Sequence, residues 1–239
     1  TVIGGAWSAD AANITTLGDG AITVTANGAD LAGNNAVQVT KSLTLDTTIA
    51  TPTLALAADT GSDNADSLTS DQTVDVTLAS DVASWEYSLN NGGSWIAGTG
   101  TTVSETFELG ANASYTAGQI QVRQTDLAGN VSAIGSNASP ITTDTTAPTI
   151  AIDASLEGDD RINATESADV VITGTTTGLE DNQIVSISIT DGTTTVNTTA
   201  TVTGNTWSAI AADISALING SIDVTADVND LAGNSATQA

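Results

Sequence analysis

The residues of this chain that can do chemistry are almost all carboxylates. There are 28 Asp and Glu against three Lys and Arg, and no His, Cys or Met. The acids recur in fixed company. The string DLAGN occurs at 30–34, 126–130 and 230–234, which sets Asp30, Asp126 and Asp230 at intervals of 96 and 104 residues. DTT occurs at 46–48 and 144–146, which sets Asp46 and Asp144. Two stretches are dense in acids: ADTGSDNADSLTSDQ carries Asp59, Asp63, Asp66 and Asp71, and DASLEGDDRINATESAD carries Asp153, Glu157, Asp159, Asp160 and Glu166. Without imidazole or thiolate there is no Cys or His nucleophile system, and zinc is disfavoured. A metal here must be held by oxygen, which puts Ca2+ first and Mg2+ second. Several carboxylates with backbone carbonyls supply the six to eight oxygens that Ca2+ takes. The spacing is neither that of an EF-hand, which needs acids at alternate positions and Gly at the sixth, nor that of a glycine-rich β-roll.

Each acid also has a plainer use. In DLAGN the Gly can adopt φ > 0 and the Asp can accept from turn amides, so the string is predicted to be a hairpin turn whether or not it binds metal. The acid-dense loops can likewise be solvated turns. The adjacent pair Asp159 and Asp160 is a poor glycosidase candidate, because neighbouring side chains on an extended chain point apart. No enzyme is expected.

A formal charge of −25 excludes function classes. Lys41, Arg123 and Arg161 cannot form the basic patch that nucleic acid or an anionic membrane surface requires. A surface this acidic repels itself unless cations screen or bind it. The apolar runs are only a few residues long, so membrane insertion is not expected, and TVIGGAWSAD has none of the features of a signal peptide.

The elements that position these acids are read from repeats. Residues 4–34 match 204–234, with Trp7 and Trp207 at the same place in each. Trp95 precedes its DLAGN by 31 residues rather than 23, which marks a second subtype. Each DTT is followed by a Pro and an alternating apolar run, at Pro52 and Pro148, as at the start of an edge strand. The division is therefore 1–46, the C-terminal half of a repeat; 47–143, a complete repeat of the second subtype; and 144–239, a repeat lacking its last strand. The missing strands come from upstream and downstream residues or from another chain.

Period-two alternation in AITVTAN, QTVDVTLA, SWEYSLN, QIQVRQT, ADVVITGT, QIVSISIT and SIDVTAD predicts strands, and Gly/Asn/Asp turns between them predict β-sandwiches. AADISAL (211–217) is predicted to make one short helical turn. Trp85 is assigned to the core, and Trp7, Trp95 and Trp207 to sandwich edges. Placing each DLAGN turn beside the linker that follows it predicts two clusters: Asp30, Asp46, Asp59, Asp63 and Asp66 at one junction, and Asp126, Asp144, Asp153, Asp159, Asp160 and Glu166 at the next. Asp230 is the third turn acid.

The combination DTTAPTIAID, DDRINATE, VVITGTTTG, GNTWSAI and DLAGN resembles the bacterial Ig-like repeats of giant secreted adhesins of the RTX and biofilm-associated type. LAADTGSDNADSLTSDQTVDVTL is similar to a sister subtype. The resemblance implies an all-β fold of tandem Ig-like Greek-key sandwiches set end to end, type I secretion to the bacterial cell surface, and Ca2+ that stiffens the junctions. It implies that the acids of DTT, DTGSDNAD, EGDDRINATE and DLAGN are the metal-facing ones. The expected function is a structural extender that projects an adhesin's binding tip for adhesion or biofilm formation, with neighbouring repeats and calcium as partners. The alternatives are a module binding sugar, protein or ice, for which Thr-rich strands such as TTTVNTTATVT could serve, and a self-assembling surface layer or filament built through incomplete terminal repeats.

Overall fold

The computed structural model describes residues 2–3 and 5–239. Among the described residues, regular structure is all β apart from one 3-10 turn, Glu166–Ala168. β-branched residues in period-two alternation fit a pleated surface with one buried face. The first segment holds β1 (Val2–Ile3), β2 (Ala6–Trp7), β3 (Gly20–Ala26) and β4 (Val39–Leu45), paired antiparallel as β1–β2 and β3–β4.

The middle segment holds ten strands. These are β5 (Thr53–Leu56), β6 (Leu68–Thr69), β7 (Thr73–Thr77), β8 (Val82–Ser88), β9 (Ile96–Ala97), β10 (Ser104–Glu108), β11 (Ala113–Tyr115), β12 (Gln121–Asp126), β13 (Gly135–Ser136) and β14 (Ile141–Thr143). They form three sheets, β10-β7-β5, β13-β12-β8-β9 and β11-β14-β6. The inward residues share one core: Val74 and Val76 from β7, Trp85 from β8, Phe107 from β10 and Val122 from β12. Trp85 is 2% exposed, as a core residue should be, and its indole N–H donates to the Gly100 carbonyl at 3.1 Å.

The last segment holds β15 (Thr149–Ile152), β16 (Thr173–Thr177), β17 (Ile184–Thr190), β18 (Thr195–Thr201), β19 (Thr206–Ser208) and β20 (Asp223–Asp227). Its sheets are β15-β16-β19 and β18-β17-β20, and a second core joins Val185, Ile187 and Ile189 to Trp207 and Ala226. After β20 the chain pairs back on itself, with Ala226 and Ala239 exchanging backbone hydrogen bonds of 3.0 and 3.1 Å.

Most predicted strands are found where alternation puts them. ADVVITGT is displaced: its strand begins at Thr173, and the 3-10 turn precedes it. AADISAL is not helical. The Asp213 carboxylate accepts from the Ser215 amide at 2.9 Å, a local bond that competes with a helix, and Ala212 bridges to Val170. Trp207 lies on β19, an edge strand of its sheet, and its side chain is turned into the core, at 3% exposure. It packs under Gly174 of β16, where a Cβ would lie 2.4 Å from the indole. Trp7, its counterpart in the first segment, is 60% exposed, because the described residues up to 45 contain no strand equivalent to β16.

Candidate metal centre

The three DLAGN turns have one geometry. In each, the Asp amide donates to the Asn carbonyl (2.9, 3.1 and 3.0 Å), and the Gly amide donates to the Asp carbonyl (3.1, 3.2 and 3.2 Å). The Asp Oδ1 accepts from the Asn amide at 2.8, 2.7 and 2.8 Å. The Asn Nδ2 donates to the other carboxylate oxygen at 2.8, 2.8 and 2.9 Å. Gly33, Gly129 and Gly233 all have positive φ, at 87°, 96° and 93°. The hairpin prediction therefore holds, and the fifth residue gains a role that sequence reasoning had not given it. Asn closes the turn through the Asp carboxylate.

Strand register then decides which acids meet. Gly20 pairs with Leu45 and Ala26 with Val39, so Asp46 leaves from one end of the β3–β4 hairpin and the Asp30 turn caps the other. Six residue steps separate the ends, about 20 Å. Asp30 and Asp46 do not share a junction. A turn between two antiparallel strands lies opposite the end from which the chain leaves, so in the middle and last segments DLAGN lies with the linker that precedes the sandwich.

At that pole of the middle segment, carboxylate oxygens of Asp46, Asp81 and Asp126 all lie within 4.8 Å of one another; Asp126 is buried and the other two are half-buried. Asp46 comes from the linker, Asp81 from the loop between β7 and β8, and Asp126 from the end of β12. Backbone and side-chain bonds hold the three pieces together. Asn130 Nδ2 donates to the Asp46 carbonyl at 3.1 Å, and the Leu127 amide donates to the Asp81 carbonyl at 3.0 Å. Gln124, which is 1% exposed, accepts from the Ala79 amide and donates to the Ala50 carbonyl, both at 2.9 Å. Burial works against the charge of Asp126. The Asn130 side chain and the amides of residues 128–130 outweigh it and hold the carboxyl below its ordinary value, so the group stays ionised. Oxygens on one Ca2+, at 2.3–2.6 Å from it, are separated by at most about 5 Å, and the three carboxylates fall within that span. They would supply three of the ligands, with the remainder left to carbonyls or water. Among the described residues the ion pair is Arg123–Glu86 at 2.8 Å, with Arg123 also stacked 4.1 Å over Trp95, so the three carboxylates are not neutralised by a neighbouring cation.

The other predicted acids are placed elsewhere. Asp144 repeats part of the pattern at the next linker, where its carbonyl accepts from Asn234 at 2.8 Å, and Asp230 is 2% exposed. There Glu180 accepts from the Leu231 amide at 3.2 Å. Asp59 accepts from the Ser67 amide through one oxygen, and its other oxygen is buried without a protein partner. Asp63 and Asp66 cap the amides of Ala65 and Leu68. Asp153 accepts from the Thr173 hydroxyl, Asp159 from the Arg161 amide, Asp160 from the Leu156 amide and Glu166 from the Asn163 amide. The loop that carries these four follows β15 and lies at the pole of the last segment opposite Asp144 and Asp230, so the second predicted cluster is not assembled either. Asp81 was missed because a single Asp in ASDVA gives no signal; its importance comes from the loop sharing a pole with DLAGN.

No family model matches the chain, and no curated protein matches it. Among solved structures it is similar to a tetra-tandem repeat in the extending region of a large adhesion protein, at 24% identity over 95% of this chain and 57% of that one, with a TM-score of 0.37. It is similar to a Ca2+-stabilized adhesin that helps an Antarctic bacterium reach out and bind ice, at 24% identity over 92% and 55% of the two chains, TM-score 0.38. A 1.5-MDa bacterial ice-binding adhesin follows at 21% identity over 92% and 72%, TM-score 0.35. The chain thus spans somewhat more than half the length of the first two of these structures.

Proposed function

We propose that this chain is an extender segment of a bacterial cell-surface adhesin, a run of Ig-like repeats stiffened by Ca2+ at a junction, and that it is not an enzyme. The convergence of Asp46, Asp81 and Asp126 carries the reading, because one of the three carboxylates lies on the linker itself. A cation held there ties the linker to two loops of the sandwich that follows. Without it, three like charges repel and the linker loosens. The neighbouring linker residues support the same role. Thr47 and Thr48 are bound by the Asp19 carboxylate of the preceding segment, at 2.7 Å for the Thr47 hydroxyl and 3.1 Å for that of Thr48. In the second linker the Thr145 amide is bound by Asn112 of the preceding segment at 2.8 Å, while Asp144 is bound by Asn234 of the following one. Each DTT is therefore gripped from both sides.

The three segments are read as half, whole and nearly whole repeats. The exposure of Trp7 against the burial of Trp207 supports a first segment completed by further strands, from upstream residues or from another chain. Analytical ultracentrifugation over a concentration series separates the two: ordered association points to another chain, a monomer to upstream residues. Among the described residues no helix is long and apolar enough to cross a membrane. We place the protein outside the cell, exported by type I secretion. Small-angle scattering with Ca2+ and with chelator tests the stiffening. A narrower range of shapes with Ca2+ is expected, and identical profiles would refute it.

A further inference from the structure

Turn geometry accounts for the Asp, Gly and Asn of DLAGN but not for Leu and Ala, whose side chains no hairpin requires. The contact between the middle and last segments supplies a reason for the Ala. We infer that DLAGN is a docking peg between successive repeats, and that the loop after a repeat's first strand is its socket. This rests on the chain being a string of repeats, and it does not rest on calcium.

In the last segment the peg is occupied. The Ala232 carbonyl accepts from the Thr60 hydroxyl and from the Ser70 amide, the latter at 3.1 Å. Thr60 and Ser70 flank the socket, and the Ser70 amide also donates to the Thr60 hydroxyl at 2.7 Å. The floor is Gly61: a Cβ there would lie 2.0 Å from the Leu231 carbonyl oxygen. A Cβ on Gly233 would lie 2.8 Å from the Gly61 nitrogen, so two backbones meet where neither residue carries a side chain. Ala232 is 1% exposed, which leaves no volume for a larger residue. The same string in the other two segments has no such neighbour. A Cβ on Gly33 or Gly129 would have nothing within 4 Å, and Leu31 and Leu127 are 111% and 80% exposed. Leu31–Gly33 and Leu127–Gly129 are thus free pegs of the same build. Their partner is the first inter-strand loop of another repeat, one that presents a hydroxyl, a backbone N–H and a glycine to the Ala carbonyl.

The chain has no Cys, so cysteines introduced at exposed Thr106 and Asn197 give one spin-label pair across the middle and last segments. The native chain should give a narrow distance distribution in chelator as well as in Ca2+. Ala232→Leu should broaden it severalfold. Ala128→Leu, the same change in the same turn without a socket, should leave it unchanged. Gly61→Ala, on the socket side, should broaden it too, so the test stands even where Ala232→Leu weakens the last segment itself. A distribution unchanged by both Ala232→Leu and Gly61→Ala overturns the peg. A native distribution that is narrow only with Ca2+ overturns its independence from metal. Failure of the Ca2+ effect in scattering, with the peg variants still broadening the distances, refutes the metal reading alone.

Discussion

Adding Ca2+ to the chelated chain should raise the melting temperature of one packed segment and leave the other almost where it was. The three clustered carboxylates belong to the linker and loops of the segment whose core runs from Val74 to Ile141. Among the described residues the last segment has no such group, and its Glu180 is engaged with the Leu231 amide. A ligand that binds only the folded form stabilises it by about 2.7 kcal/mol at a concentration 100 times Kd. For a domain near 100 residues each kcal/mol is worth roughly 4–8 °C, so the middle transition should rise by about 10–20 °C. Differential scanning calorimetry resolves this as one moving and one stationary transition. Asp81→Asn keeps the side chain's shape, removes one of three charged ligands, and should abolish most of the shift. Its chelated form should melt no lower than the parent, since one like charge is gone from the cluster. Mg2+, with ligands at about 2.0–2.1 Å, needs a tighter cluster and should shift the transition less. Equal shifts in both transitions, no shift, or a full shift in Asp81→Asn would refute the assignment.

Other consequences are as direct. Trp85→Ala empties a site 2% exposed that packs against Tyr87 and Phe107, and should cost about 3–5 kcal/mol by urea denaturation, enough to unfold much of the middle segment. Arg123→Ala removes a partly exposed ion pair with Glu86 and a stacked contact on Trp95, and should cost no more than about 1–2 kcal/mol. The Asp19 carboxyl is held below its ordinary 3.8 by the Thr47 hydroxyl and amide and by Thr48. A depressed folded value means this grip is fully present above pH 3.8 and is lost as pH falls through the folded value. Denaturation of the chelated chain at pH 7 and at pH 3 should therefore show a smaller acid loss in Asp19→Asn than in the parent.

Local physics made much of this legible in advance. Alternation over 21–27, 119–125 and 221–227 located β3, β12 and β20, and in the middle repeat a one-residue slip would turn the fully buried Ile120 and Val122 outward. Pro52 and Pro148 stand just before β5 and β15, which are edge strands where a missing N–H costs no ladder bond. The burial of Trp207 was not legible, because the space it fills is created by Gly174 on a strand 33 residues earlier. The peg was hidden for a similar reason, since Gly61 and Gly233 look like ordinary turn glycines until the two backbones are seen to meet.

The sequence by itself determined the kind of ligand atom, the strand period and the repeat interval. Composition removed nitrogen and sulfur donors, and alternation and turn residues act over neighbours a few positions apart. Only the tertiary structure decided which carboxylates meet. Asp46 and Asp126 come together across 80 residues, with Asp81 between them, because a hairpin turn sits at the pole opposite its chain exit. Asp30 and Asp126 carry the same five residues. They differ in what the strands around them bring to the same end of the sheet.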